Sequence, residues 1–217
     1  MVYNFRVRPV MILFAKAPVP GRVKTRLAAT IGAGPAAELY RAFVADTIAK
    51  LTEFRDVADI ELHTDTVTDA WSEQGVARDL QAAGGLELKL LHAIATAIQS
   101  GRSQAMILGS DSPTLPRGHI QRLLDSAADV ALGPCEDGGY YAIACRRVHS
   151  EMFAGVVWST PHVREQTERA VRASGLSVER GDLWYDVDEP EDLARLMKEP
   201  ALPPRTRQAV WNCQSRM

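Results

Sequence analysis

Apolar and polar positions along this chain of 217 residues follow two rhythms. Some segments are short apolar runs bounded by Gly, Pro or charge, as in a strand buried on both faces. Others space apolar residues three and four apart, which makes one face of a helix. Val10–Ala15 (Val-Met-Ile-Leu-Phe-Ala) is a run of the first kind. Pro35–Phe54 is of the second kind, with Leu39, Phe43, Val44, Thr47, Ile48 and Leu51 on one side. The alternation continues through a strand at Val57–Thr64 and a helix at Leu86–Gln99, whose stripe is Leu90, Leu91, Ile94 and Ile98. It goes on with a strand at Gln104–Gly109, a helix at Pro116–Ala127, and strands at Val130–Gly133 and Tyr140–Cys145. A helix at Pro161–Ser174, a strand at Ser177–Arg180 and a helix at Glu189–Lys198 complete it.

Strands alternating with helices predict an α/β fold with a mostly parallel central sheet covered on both faces. Residues 1–199 are expected to form a single domain. Residues 200–217 lose the periodicity and read as a surface tail or docking arm. Open sheets of this kind place ligands beyond the carboxyl ends of their strands, and here those positions carry short Gly/Pro-shaped loops.

Composition narrows the function classes. The chain is 46% hydrophobic and 24% charged, as in a globular protein with a real core. Its formal net charge of −2 argues against a broad nucleic-acid or membrane-surface partner. No apolar stretch approaches the roughly 18 residues a membrane span needs. Arg6 and Arg8 before the first apolar run imitate a signal peptide, but the run is short and Lys16 ends it. Cys135, Cys145 and Cys213 are too few and too scattered for a disulfide framework or a zinc site, and a reducing cytoplasm is the expected setting. The five histidines show no metal spacing.

Charge is distributed unevenly. The first acidic residue is Glu38, and before it stand Arg6, Arg8, Lys16, Arg22, Lys24 and Arg26. Four of these lie in Lys16-Ala-Pro-Val-Pro-Gly-Arg-Val-Lys-Thr-Arg26, directly after the first strand. A turn shaped by Pro18, Pro20 and Gly21 would aim backbone N–H groups and Lys24 or Arg26 at a phosphate. The loop matches neither the Walker pattern nor the dinucleotide fingerprint. An ordinary solvated basic turn accounts for it equally well on local sequence alone.

Three further segments pair chemistry with a local alternative. In Gly109-Ser-Asp-Ser-Pro-Thr-Leu-Pro116, Asp111 stands at a strand end, suited to a hard divalent cation or to capping the next helix. In Gly133-Pro-Cys-Glu-Asp-Gly-Gly-Tyr-Tyr141, Asp137 precedes a glycine pair that permits close ligand approach, and Asp-Gly is also a hairpin turn signal. Only one of Tyr140 and Tyr141 can face a cleft if the strand alternates. In Tyr185-Asp-Val-Asp-Glu-Pro-Glu-Asp192, Asp186 and Asp188 point the same way when extended, which suits a metal. Asp188 with Glu191 also makes a capping-box-like helix start, with Pro190 in the first turn.

Taken in order, these four motifs resemble the bacterial glycosyltransferase-like family named for its association with radical-SAM and selenodomain proteins. Some members of that family are linked to arsenosugar biosynthesis. The resemblance covers roughly residues 10–198 and extends to the 2-phospho-lactate and molybdenum-cofactor guanylyltransferases. It implies the three-layer α/β/α nucleotide-diphospho-sugar transferase (GT-A-like) fold. It implies that Lys16, Ala17, Pro18, Gly21, Arg22, Lys24 and Arg26 wrap the phosphates of a nucleotide or nucleotide sugar. It assigns Asp111 and Asp188 to a Mg²⁺ or Mn²⁺ ion. It makes Lys24, Arg26 and Asp111 the catalytic set, and it places Asp137, Gly138, Gly139 and Tyr140 around a small-molecule acceptor. The family pattern Gln…Gly-Asp-Leu-Gly-x-Arg is altered here to Gln81-Ala-Ala-Gly-Gly-Leu-Glu-Leu-Lys89, and Lys cannot reproduce a bidentate Arg contact. Three readings follow: glycosyl transfer from a nucleotide sugar, nucleotidyl transfer from a triphosphate with release of pyrophosphate, or a nucleotide-binding domain without chemistry.

Overall fold

The computed structural model describes residues 7–214, and Arg6 lies outside them. Seven strands form one sheet: β1 (Val10–Ala15), β2 (Asp59–Thr64), β3 (Ala77–Leu80), β4 (Ala105–Leu108), β5 (Val130–Pro134), β6 (Tyr140–Cys145) and β7 (Val178–Arg180). The helices are α1 (Thr25–Ile31), α2 (Ala33–Thr52), α3 (Leu86–Gln99), α4 (Arg117–Asp125), α5 (Val163–Ala173), α6 (Pro190–Leu196) and α7 (Pro204–Gln214). The sheet order is β3-β2-β1-β4-β6-β5-β7. Strand β6 runs antiparallel to both its neighbours, and the remaining pairings are parallel. This is the mostly parallel three-layer architecture that the strand–helix alternation predicts.

The apolar run of β1 is explained by its central place. Every residue from Val10 to Ala15 is buried, because helices cover both faces of the strand. Met11, Leu13 and Ala15 pack against Tyr40, Val44 and Ile48 of α2, with α4 on the same face. Val10, Ile12 and Phe14 pack the other way, against Leu90, Ala93 and Ile94 of α3, with Val163 and Val171 of α5. A third cluster joins Leu27 of α1, Leu39 and Phe43 of α2, Leu193 and Leu196 of α6 and Val210 of α7. Among the described residues no helix is long and apolar enough to cross a membrane.

Residues 204–214, which lack a visible hydrophobic rhythm, form α7 on the flank of α2. The first amides of this helix are satisfied from outside it. Asp46, buried in α2, accepts hydrogen bonds from the amides of Arg205 and Thr206 at 3.3 and 2.7 Å. Strand β3 and helix α1 also lack a sequence signal. β3 is exposed at all four positions and exists by pairing with β2, and α1 buries only Leu27.

Because β1, β2 and β4 are parallel and adjacent, their carboxyl ends open on the same edge. Lys16, Asp65 and the Gly109-Ser-Asp111 turn therefore come together although they are far apart in sequence. The sheet order reverses between β1 and β4, the switch point where such folds bind ligands.

Candidate active site

The basic loop is tied down before any ligand arrives. Its turn closes through the Arg22 amide on the Val19 carbonyl (3.0 Å), with Gly21 at φ 77°. The Lys16 amide donates to the Tyr40 hydroxyl (2.8 Å), which also meets the Ser110 hydroxyl (2.9 Å). One α2 side chain thus links the loop after β1 to the turn after β4. Burial, followed by the nearby charge of Asp111, pushes the Tyr40 phenol up to about 12. The Ala17 amide donates to Asp65 Oδ1 (2.7 Å), and the Arg22 guanidinium lies 3.8 Å from Asp65 Oδ2.

Lys24 caps α1 in the left-handed conformation, with φ 46° and ψ 46°. For a residue with a Cβ this costs about 1–2 kcal/mol. The conformation sends its side chain inward, where the ammonium bridges Asp111 and Asp188, 2.7 Å from Asp188 Oδ1. The lysine side chain is 2% exposed, and those of Asp111 and Asp188 are 42% and 43% exposed. Burial alone would lower the Lys24 pKa; the two carboxylates outweigh it, and the net shift is upward, keeping the ammonium charged. Both carboxylates therefore converge on one cation, as a metal pair must, and the cation between them is Lys24.

The segment that supplies Asp188 runs extended along the strand ends. Its register is set by the Trp184 amide on the Pro134 carbonyl (3.0 Å) and the Val187 amide on the Asp111 carbonyl (2.9 Å). Tyr185 and Val187 are buried in the third cluster, so Asp186 and Asp188 share the opposite side. The capping reading of Asp188 is corrected. The cap of α6 is Glu189, reciprocated by Asp192, whose carboxylate accepts from the amides of Asp188 and Glu189 at 3.1 and 2.8 Å. With Pro190 at the first helical position the helix starts one residue later, and the Asp188 side chain is left for Lys24.

Two cavities open along this edge. The larger, about 560 Å³, is lined by Lys16, Arg22, Lys24, Arg26, Lys89, Gln81, Tyr40 and Ser110, among others. Lys89 donates to Gln81 Oε1 (3.1 Å), and the Gln81 amide group donates to the carbonyls of Ala15 and His63. The departure at Gln81–Lys89 thus sits inside the cavity, where a rigid glutamine positions the lysine. Ala17, Pro18 and Gly21 shape the loop from outside the lining.

The second cavity, about 430 Å³, is lined by Cys135, Asp137, Gly139, Tyr141, Trp158, Thr160 and Asp186 beside residues common to both. Tyr140 lines both cavities, and Tyr141 lines the second while its hydroxyl donates to the Asp182 carbonyl (3.0 Å). The two rings pack on opposite faces of the sheet, Tyr140 against the α3 and α5 side and Tyr141 on the α2 and α4 side, as strand alternation predicts, yet both residues contribute to the lining of the second cavity. Asp137 accepts from the Gly139 amide (2.8 Å). Gly138, at φ 90°, buttresses the wall instead of lining it: a Cβ there would lie 2.0 Å from the Pro161 carbonyl oxygen. Burial, then the charges of Asp137 and Asp188, push Asp186 up to about 6. Burial first, and Asp186 and Asp137 next, push the Cys135 thiol up.

Asp65, Tyr40 and Trp158 are site residues that the sequence did not single out, whereas Gln81 opens the altered family segment. Asp65 had a signal, since it ends β2 much as Asp111 follows β4. Trp158 had none, because the loop that carries it is placed by tertiary contacts with Gly138.

The model of the family described as "Uncharacterized protein conserved in bacteria (DUF2064)" matches residues 44–160. That span includes Asp111 and Asp137 and leaves out the basic loop and Asp186–Asp188. A curated relative, 2-phospho-L-lactate guanylyltransferase of Haloarcula marismortui, is 27% identical over 187 residues, 83% of each chain. A crystal structure from Desulfovibrio desulfuricans G20, assigned as a nucleotide-diphospho-sugar transferase, is similar at TM-score 0.85 and 29% identity over 96% of each chain. A nucleotidyl transferase of Methanothermobacter thermautotroptrophicus shares the fold at TM-score 0.58 and 14% identity, over 87% of this chain and 95% of that one.

Proposed function

The chain belongs to the bacterial family described as DUF2064, and on that premise we propose that it is a transferase using a nucleotide-activated donor. The carrying observation is that the two cavities share a wall formed by Arg26, Leu86, Gly109, Asp111, Tyr140 and Asp188. A donor in the larger cavity and an acceptor in the smaller would meet across the carboxylate pair. The glycosyl reading leads. Besides Arg26, the acceptor cavity offers Asp111, Asp137, Asp186 and Asp188 with the rings of Tyr141 and Trp158. Such a lining suits a hydroxyl-bearing acceptor better than an anionic one. The Desulfovibrio structure supports the same reading.

In this scheme the cations of the larger cavity hold the donor's phosphates, and Leu86 gives an apolar surface to the rest. Asp111 and Asp188 suit Mg²⁺ or Mn²⁺, since their oxygens already converge on the Lys24 ammonium. Such an ion would neutralise the negative charge of the departing phosphates. Lys24, fixed at the junction of the cavities, contributes positive charge already oriented before the reaction begins. Tyr40 keeps the loop after β1 and the turn after β4 in register while the donor is held.

A second reading, nucleotidyl transfer, is favoured by the curated guanylyltransferase relative and by the five basic residues of the donor cavity, Lys16, Arg22, Lys24, Arg26 and Lys89, which suit a triphosphate. Thermal-shift screening with Mg²⁺ or Mn²⁺ separates the readings. Stabilisation by UDP- or GDP-sugars supports glycosyl transfer, and stabilisation by nucleoside triphosphates alone supports the second. No response to either overturns both. Asp111→Ala is expected to abolish the metal-dependent part of the response.

A further inference from the structure

The smaller cavity contains a cluster that the donor scheme does not use. Cys135 Sγ and carboxylate oxygens of Asp137 and Asp186 all lie within 4.8 Å of one another. The three come from two segments of chain: Cys135 and Asp137 lie in the hairpin between β5 and β6, and Asp186 is on the extended segment leading to α6. Their approach is enforced by backbone. Cys135 pairs with Trp184 in a parallel bridge, the Glu136 amide donates to the Trp184 carbonyl (3.0 Å), and the Cys135 amide donates to the Gly139 carbonyl (3.1 Å).

Charge accounting separates this cluster from the Asp111–Asp188 pair. That pair has Lys24 as its counter-charge, and Arg26 is engaged by Glu189 at 3.2 Å. Among the described residues, neither Asp137 nor Asp186 has an ion-pair partner, although Asp186 is half-buried. Cys135 is 6% exposed, and its thiol has no hydrogen-bond partner among the described residues. A buried, unpartnered thiol facing two uncompensated carboxylates is an arrangement that a cation would complete. An ammonium group on an acceptor would satisfy the carboxylates alone, whereas a metal would use the sulfur as well.

We propose that Cys135, Asp137 and Asp186 form a second cation site, which takes a divalent ion of borderline softness such as Zn²⁺ or Co²⁺. The thiolate selects against Mg²⁺, which takes hard oxygen ligands. On binding, the Cys135 thiol gives its proton to solvent and a metal–sulfur bond forms, with no change of oxidation state. Asp137 lies on the exposed side and gives the ion a path in. Three protein ligands leave a coordination position toward the cavity, as an ion that contacts a substrate requires. The proposal is independent of which donor the larger cavity takes.

Titration of the full chain with Co²⁺ tests it, because a cobalt–thiolate bond adds a charge-transfer band in the near ultraviolet. The expected result is one such band saturating at one equivalent. Cys135→Ser, which keeps Cys145 and Cys213, should abolish it. Asp137→Asn should weaken Co²⁺ binding by about tenfold or more. Asp111→Asn should leave the band in place while weakening the Mg²⁺-dependent nucleotide response. No band, or a band that survives Cys135→Ser, overturns the site, and so does cobalt binding that stabilises the protein without a sulfur band. Thermal melts with a nucleotide and Mg²⁺, run on the same variants, keep loss of this site distinct from failure of the donor reading.

Discussion

At the scale of single residues, the site rests on two residues at positive φ, Lys24 and Gly138. Lys24 spends conformational energy in the left-handed region and regains it through its bridge between Asp111 and Asp188. The two terms can be separated. Lys24→Ala loses the bridge and keeps the strain; with both carboxylates partly exposed, the expected loss is about 1–2 kcal/mol, below that of a fully buried pair. Lys24→Gly loses the bridge but relieves the strain, and should recover up to about 1 kcal/mol of that loss. Urea unfolding should therefore rank wild type above Lys24→Gly and Lys24→Ala last. An alanine variant as stable as wild type would refute the ion-pair account. At Gly138 no side chain fits, since a Cβ meets the backbone of Pro161. Gly138→Ala should cost about 2–4 kcal/mol and displace Asp137 and the Trp158 loop together. A variant with wild-type stability would show that the hairpin tip gives way freely.

At the scale of elements, legibility followed where each element gets its stability. β1, α2 and α3 carry their own apolar pattern, and the sequence placed them to within a few residues. β3, α1 and α7 are stabilised mainly from elsewhere. α7 is the clearest case, because the carboxylate that caps its first amides belongs to Asp46 of α2, a residue that looks like an ordinary polar position in its own helix. The same limit applied to the site. Asp111 and Asp188 were readable as strand-end and segment-end carboxylates, but their joint counter-ion was not, because Lys24 comes to them through a backbone conformation that sequence does not signal. Asp46→Ala should remove the cap of α7 and destabilise the protein by about 1–2 kcal/mol. Limited proteolysis should then cut near residues 200–204 before the rest of the chain. Unchanged resistance to protease would mean that burial of Val210 and Cys213 holds α7 without the cap.

At the scale of the whole molecule, a chain of net charge −2 sorts its charges along one sheet edge. Cations gather in the larger cavity and aspartates in the smaller, with Asp111 and Asp188 at the boundary. Several of the cations are already engaged by acids: Arg22 lies 3.8 Å from Asp65, and Arg26 lies 3.2 Å from Glu189. Bound phosphates must compete with these acids, so removing one of them should strengthen nucleotide binding. Glu189→Gln is the informative change, because an amide oxygen can still cap α6 while the charge facing Arg26 is gone. Nucleotide affinity measured by calorimetry should rise by about two- to threefold, the scale of an exposed ion pair. Arg26→Gln should lower it by about tenfold, the scale of a charge-assisted hydrogen bond. Both effects should shrink as salt is raised, since these side chains are open to solvent. A nucleotide held at about one hundred times its Kd adds about 2.7 kcal/mol to the folded state, which for a domain of this size raises Tm by roughly 5–10 °C. If Glu189→Gln weakens binding while α6 stays folded, Arg26 does not face the phosphates, and the donor must lie deeper in the cavity, toward Lys16 and Lys89.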